Sequence, residues 1–393
     1  MDATTGSLGQ GLSIACGLSL GIRMSGTSQR VFCILGDGEL DEGQNWEAAL
    51  FAAHHKLDQL IAFIDWNKMQ IDGTNDAVLS LGDIPSKFNS FGWYVQTVDG
   101  KDISGIFHAI ESAYSTKGRP SLIILDTVKG SGIPCIESIP NNHCIGMPTE
   151  LAEKAFAELE EYAETIRENP HVKLRYTGKP AEADVNRLFS SWMEELLNED
   201  EKVVYLDADL MRGLNTADLW EKRPDRVYNC GIQEGNMVCV AAGLYLAGYK
   251  PYVHSFSPFI TRRAFDQIAV SVAYGHKSVH LIGTDAGILA SDNGGTHMCF
   301  EDVALMRSIP GACVIDVTDA AMFYSLLKNT KNRPGVTYFR TGRRNMPDVY
   351  EMGTEFQVGH GKVLSQGDDV TVVASGIMVA TALEAANRLR KEK

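Results

Sequence analysis

Missing from this chain is any pair of cysteines at CxxC spacing. Its eight cysteines are scattered, which argues against a zinc or redox motif and fits a reducing cytoplasm. Basic charge is also short. Lysine and arginine number 36 against 50 aspartates and glutamates, a net charge of -14. Nucleic acid and an anionic membrane are therefore poor candidates for the main partner. An anionic small ligand stays open, because local dipoles and a bound metal outweigh a global charge at short range. No long apolar run exists either. The longest, 370–383, is interrupted by Ser375, Gly376 and Thr381 and is too short to span a bilayer. The opening MDATTGSLGQ lacks a positively charged stretch followed by an apolar one, so it does not read as a secretory leader. Repeats and low-complexity tracts are absent too. What is present is ordinary for a soluble globular protein, with 44% hydrophobic and 22% charged residues. At 393 residues the chain is too long for one core, and two or more domains are expected.

Leu8 to Met24 reads as a small-residue helix closed by Ser25 and Gly26. Val31 to Leu35 is a continuous apolar run suited to a buried parallel strand, ending at Gly36-Asp-Gly38. Asn45 to His55 reads as a helix and Leu60 to Asp65 as a second buried strand, with Asn67 just past its end. Trp93 to Val98 and Ser121 to Thr127 add strands around a helix near Ile103 to Thr116. This alternation predicts an α/β fold with a mainly parallel sheet. From Thr149 to about Asn198 glutamate and lysine dominate, punctuated by Pro170, Gly178 and Pro180. That stretch reads as a surface helix, a linker and the first helix of another domain. The pattern restarts at Val203 to Asp207, with strands near Val253, Val279 to Gly283, Ala312 to Asp316 and Val336 to Phe339. Beyond Asp348 a strand, Val370 to Ala374, and a helix, Met378 to Lys391, are expected. Such a unit cannot bury a core of its own. The expected division is 1–165, a linker 166–185, 186–350, and a fragment 351–393.

The most informative local pair is Gly36-Asp-Gly38 and Asp65-Trp-Asn67, each at the end of an apolar strand. Ligands of open parallel sheets sit at the carboxyl ends of strands. Glycines let backbone amides approach a diphosphate, and the following helix N-terminus favours the anion. Asp37 supplies a hard carboxylate and Asn67 a neutral carbonyl oxygen, which suits Mg²⁺, with Ca²⁺ or Mn²⁺ as substitutes. Read singly, GDG is equally a tight turn. The two motifs together, both at strand ends, favour the ligand reading.

Four segments carry a resemblance to transketolase: Thr4-Thr-Gly-Ser-Leu-Gly-Gln-Gly11, Gly36 to Gly43 (GDGELDEG), Asp65-Trp-Asn67 and Gln70-Ile-Asp-Gly73. The family versions read TTGPLGQG, GDGxxxEG, DxN and xIDG. Farther on, Gly231-Ile-Gln-Glu-Gly-Asn236 resembles the family's GIxEx(N/H), and Phe256-Ser-Pro-Phe259 and Asn293-Gly-Gly-Thr-His297 follow. The wording is closest to forms whose two halves are separate subunits, here on one chain. The resemblance implies two three-layer α/β/α domains of the thiamine-diphosphate-binding type and the start of a third, C-terminal one. Residues 1–165 would be a partial diphosphate and metal domain, 186–350 a pyrimidine domain, and 351–393 a fragment of the C-terminal domain.

The same resemblance implies thiamine diphosphate and Mg²⁺ as cofactors. Asp37, Asn67 and the carbonyl of Met69 would bind the metal. Gly36, Gly38 and Glu39 belong to the diphosphate loop. Gly6 and Leu8 would approach the aminopyrimidine, and Asp209 the thiazolium. Phe256 and Phe259 would stack on the aminopyrimidine, though alone they read as ordinary core. Glu234 would hydrogen-bond N1′ of that ring, which needs a raised or coupled carboxyl pKa. Taken by itself, Glu234 reads as an acid at a helix N-terminus, favoured by the dipole. His297 and His143 would serve proton transfer near the donor and the diphosphate. Arg343, in Arg340-Thr-Gly-Arg343, would bind a substrate phosphate. Glu42 would lie near a dimer interface, where two cofactor domains meet.

The expected reaction is transfer of a two-carbon ketol unit from a ketose to an aldose, with sugar phosphates as substrates, in a cytoplasmic homodimer or with another subunit. Three alternatives stay open: a deoxyxylulose-phosphate synthase, a 2-oxoacid dehydrogenase E1-like enzyme, and a truncated cofactor-binding subunit without activity. The third is motivated by the family's N-terminal histidine-bearing stretch, which has no counterpart before TTGSLGQG, and by a match that stops inside the C-terminal domain. Asp285 stands where the family has a phosphate-contacting histidine and would repel a phosphate by about 1 kcal/mol or more. Asn293 replaces an acceptor-sensing aspartate, and a serine position falls near Gly213.

Overall fold

Parallel pairing governs both halves of the molecule. The computed structural model describes residues 8–70, 73–129, 185–342, 346–367 and 369–392. Helix α1 (Gly11–Met24) leads into β1 (Val31–Gly36), α2 (Gly43–His54) and β2 (Leu60–Trp66). Two short helices, α3 (Asn75–Val78) and α4 (Ile84–Phe91), precede β3 (Tyr94–Asp99), α5 (Ile103–Ser115) and β4 (Ser121–Asp126). The four strands pair in the order β1-β2-β4-β3, and every ladder is parallel.

The second sheet begins after α6 (Val185–Glu199). Its elements are β5 (Val203–Asp207), α7 (Ala217–Lys222), β6 (Val227–Asn229), α8 (Glu234–Leu246), β7 (Lys250–Phe256), β8 (Val279–Thr284), α9 (Asp302–Arg307), β9 (Cys313–Asp316), α10 (Ala320–Asn329) and β10 (Val336–Arg340). The strand order is β6-β5-β7-β8-β10-β9, six strands, again all parallel. Order reverses around β5, which sits between β6 and β7. Such a switch point opens a crevice at the carboxyl ends of the strands. Two π-helical turns, Phe259–Arg263 and Gln267–Tyr274, fill the β7–β8 crossover. Wide turns of this kind concentrate at functional sites.

Small residues explain how the halves join. A Cβ on Gly17 of α1 would stand 2.1 Å from the carbonyl oxygen of Val240, and one on Gly243 of α8 would stand 2.2 Å from that of Ile14. Both helices are buried along most of their length, so the backbones cross at close range. One apolar core therefore runs from Leu12 and Leu20 of the first half to Val238 and Leu281 of the second. The small-residue composition of α1 is a packing requirement.

Two sequence expectations need correction. Val31 to Leu35 forms a parallel strand, but not one buried on both faces: β1 lies at a sheet edge and alternates, leaving Phe32 49% and Ile34 76% exposed. Among the described residues, α5 lies on that face and packs on β3 and β4. The expected strand Val370 to Ala374 does not form. This stretch is irregular, with Val373 93% exposed, and among the described residues no strand pairs with it to supply a ladder of hydrogen bonds. The helix after it does form, as α11 (Met378–Glu392). Val379, Ala380 and Leu383 lean on the second sheet's core beside α10.

Candidate functional site

The first group of residues lies at the ends of β1 and β2, adjacent strands in register at Gly36 and Asp65. Asp37 is 1% exposed. Its Oδ1 accepts the Gly38 amide at 2.8 Å, and its Oδ2 accepts the amide of Lys68. Lys68 achieves this through a left-handed backbone, φ 68°, a conformation that marks functional loops. The result holds Asn67 and Met69 beside Asp37. Asn67 Oδ1 accepts the Met69 amide at 3.1 Å, which fixes its amide group. Burial raises the Asp37 carboxyl above its usual range, opposed by the amides of Lys68 and Gly38. The donors here are oxygens, with a single carboxylate among the three residues expected to hold a metal, and that set fits a hard divalent cation. Among the described residues no cluster of three or more His, Cys, Asp or Glu side chains forms a second candidate metal site.

Glycine matters unequally in this loop. A Cβ on Gly38 would come within 2.9 Å of Gln70 Cγ, whereas one on Gly36 would find its nearest contact at 3.9 Å. Glu39 turns its carboxylate to the main chain. Oε1 accepts the Gly9 amide at 2.9 Å and Oε2 the Gly36 amide at 3.2 Å. It thereby ties the TTGSLGQG segment to the loop. Leu8, within that segment, is exposed.

The second group gathers at the switch point of the six-stranded sheet. Gly231, at φ 76°, turns the chain so that α8 starts on Glu234, which is only 1% exposed. Ser255, on β7, donates to Glu234 Oε1 at 2.9 Å, and Arg263 donates to Oε2 at 2.8 Å. Phe256 at the end of β7 and Phe259 in the first π turn stand 6.1 Å apart. His297 lies edge-on to both, at 5.8 and 5.1 Å. Each of the three is half-buried, so an aromatic shelf stands next to a buried acid. Asp209 is exposed just past β5 at φ 62°, and Asp285 is buried just past β8 at φ 58°. Asn293 and Gly213 are both exposed.

The two groups stand on different sheets, and the start of α2 reaches toward the second. Gln267 donates to Gln44 at 2.9 Å. The Glu47 carboxyl is raised by burial and by Glu234, with Arg263 opposing. Gly6, His143 and Arg343 lie outside the described residues. Arg340 of the same RTGR motif is held between Asp302 at 2.8 Å and Asp316 at 3.1 Å.

Sequence reasoning missed Arg263, Ser255, Glu47 and the buried pair of Asp207 and His254, 2.6 Å apart. For Arg263 a signal existed: it follows Phe259 by four residues, the spacing at which side chains meet on a helical turn.

The sequence profile of the transketolase thiamine diphosphate binding domain matches residues 1–212, that of the pyrimidine binding domain 181–349, and that of the C-terminal domain 359–393. Human transketolase-like protein 2 is 32% identical over the whole chain, and human transketolase 31%. The chain spans 66% of the length of each. Transketolase from Pichia stipitis, solved as a variant in complex with fructose 6-phosphate, superposes with a TM-score of 0.80 at 21% identity, covering all of this chain and 69% of that one. The Campylobacter jejuni transketolase gives 0.76 at 21%, covering all of this chain and 70% of that one. These structures share the fold, two mainly parallel sheets in an α/β arrangement. On profile and sequence identity together, the chain belongs to the transketolase family.

Proposed function

We propose that the chain takes part in thiamine-diphosphate-dependent transfer of a two-carbon ketol unit from a ketose to an aldose. The observation that carries this reading is Glu234, a carboxyl sealed from solvent at the start of a helix and set against the Phe256–Phe259 shelf. When bound, thiamine diphosphate supplies the electron sink that permits cleavage beside a carbonyl. The residues of this chain do the rest. Asp37, Asn67 and the Met69 carbonyl hold Mg²⁺, and the Gly36 to Gly38 turn gives the diphosphate close approach. Glu234 holds a proton at the pyrimidine N1′, with Ser255 fixing its other oxygen. The two phenyl rings present a flat apolar face, and His297 at the rim moves protons at the substrate. Asp209 and Asp285, both in left-handed backbone, stand just past the ends of β5 and β8.

In this reading 1–165 forms the diphosphate domain and 186–350 the pyrimidine domain, with 351–393 as a C-terminal unit. Two copies, or this chain and another subunit, bring the two groups together, and the setting is cytoplasmic. The Pichia structures bound to fructose 6-phosphate and sedoheptulose 7-phosphate support sugar phosphates as the substrate class. Asp285 favours an acceptor whose phosphate lies elsewhere or is absent.

The test is calorimetric titration with thiamine diphosphate and Mg²⁺, followed by product analysis with hydroxypyruvate and with pyruvate as donors. Binding and consumption of hydroxypyruvate are expected. Consumption of pyruvate alone defeats the ketol-transfer reading, and absence of both heat and a melting shift defeats the cofactor site.

A further inference from the structure

We propose that Arg263 is a further residue of the aminopyrimidine subsite, placed where the ring of thiamine diphosphate has to lie, so that cofactor entry displaces it. This rests on the cofactor reading above. The guanidinium makes the two contacts which that reading assigns to the ring. Its Nη1 donates to Glu234 Oε2 at 2.8 Å, and its central carbon stands 4.2 Å from the centroid of Phe259. A flat group that stacks on an aromatic face and meets one carboxyl oxygen matches an aminopyrimidine in shape and in partners. Both cannot occupy the same face of one phenyl ring.

Protonation makes the competition sharper. A guanidinium stays charged at any relevant pH and holds its partner as a carboxylate. An acid that hydrogen-bonds a ring nitrogen must carry the proton itself. Arg263 and the ring therefore impose opposite states on Glu234. The geometry shows which partner can yield. Arg263 is 49% exposed on a π-helical turn and has room to swing into solvent, while Glu234 is 2% exposed at its side chain and is anchored by Ser255. Removing the guanidinium also changes Glu47, whose carboxyl Arg263 keeps lower against the charge of Glu234.

A compensating role for Arg263, merely neutralising a buried charge, predicts the opposite binding result, so binding decides. Purified full chain is titrated with thiamine diphosphate in excess Mg²⁺ by calorimetry, and association is followed by tryptophan fluorescence. Arg263→Ala is expected to bind about tenfold tighter than the parent and to associate faster. Methylguanidinium, added as a small-molecule replacement, is expected to weaken binding to Arg263→Ala toward the parent value and to leave the parent unchanged. Arg263→Gln keeps a planar donor without the charge and is expected to bind tighter than the parent as well, which covers a failure of the alanine variant to fold. Equal or weaker binding by the variants, or no effect of methylguanidinium, overturns the role of Arg263 alone. No binding by any of these proteins overturns the cofactor reading, and this inference with it.

Discussion

The two sheets share one ladder type, yet they hold their polar groups by different means. In the loop after β1 both buried acids are held by the main chain: Asp37 accepts the amides of Gly38 and Lys68, and Glu39 those of Gly9 and Gly36. At the ends of β5 and β7 side chains enter as well: Ser255 and Arg263 hold Glu234, and His254 meets Asp207, whose other oxygen accepts the Leu210 amide. Burial follows the same division. Every residue of β5 and β8 is buried, while β1 alternates between core and solvent. A site made of backbone depends on loop conformation and on glycine, so its defects appear as lost affinity. A site made of buried charge depends on which group carries a proton, so its defects appear in turnover.

The largest effect that would break this division is at Glu234. Glu234→Gln keeps the shape and the partner of Ser255 but not the titratable acid. Turnover should fall by about 10² to 10⁴-fold, while affinity for thiamine diphosphate stays within about tenfold. Equal loss of affinity and turnover would remove the acid from its assigned role. Next comes Asp37→Ala, which should weaken thiamine diphosphate binding in Mg²⁺ by about a hundredfold, equivalent to ~3 kcal/mol. Titration in the presence of a chelator is the control: the gap between Asp37→Ala and the parent should close there, and a gap that persists would mean Asp37 acts on the loop and not through a metal.

Legibility in the sequence followed the same line. Asp37 and Asn67 could be placed because apolar strands end at short Gly- and Asp-containing motifs, a pattern set by local chemistry. The four strands of the first sheet were legible for the same reason, and so were five of the six in the second; the three-residue β6, Val227–Asn229, is too short to leave a pattern. Glu234 could be named from the motif around it but not paired, since Arg263 reaches it only after the chain has run through β7 and a π turn. Val31 to Leu35 looked buried because composition does not reveal that a strand stands at an edge, where Phe32 and Ile34 meet solvent. Val370 to Ala374 has strand composition but no pairing strand among the described residues, and propensity alone does not make a strand.

Where the two halves meet, the comparison can be tested by size alone. Gly243→Val places a branched side chain against the carbonyl of Ile14, which a Cβ would already approach to 2.2 Å. The α1–α8 crossing must open, and the expected loss is about 3 kcal/mol, the upper part of the range for overpacking. Gly361→Ala meets nothing within 4 Å and should change stability by less than about 0.5 kcal/mol. Denaturant midpoints measure both. A mild effect at Gly243 would show that the halves adjust to one another freely.

The smallest expected effect compares the halves through acid. His55, beside Tyr228 at the join, and His280, stacked 4.4 Å from Tyr252 inside the second sheet, both titrate at about 4 instead of 6.5. Burial is the main cause for each. For His55 the neighbouring His54 and Arg23 add to it, whereas for His280 the bond to Thr330 opposes it. Both rings are neutral when folded, and the unfolded chain takes up their protons first as pH falls. Their contribution is therefore whole above pH 6.5 and is lost progressively between 6.5 and about 4. By pH 5 a fully buried ring such as His280 should cost ~2 kcal/mol relative to pH 7, and the half-buried His55 less. His280→Gln keeps a donor for the Thr330 carbonyl, which His280 meets at 2.8 Å, without the titration. Melting curves at pH 7 and pH 5 should show its acid loss reduced by that amount, and a larger relief from His55→Gln would move the acid-sensitive point from the second sheet to the join.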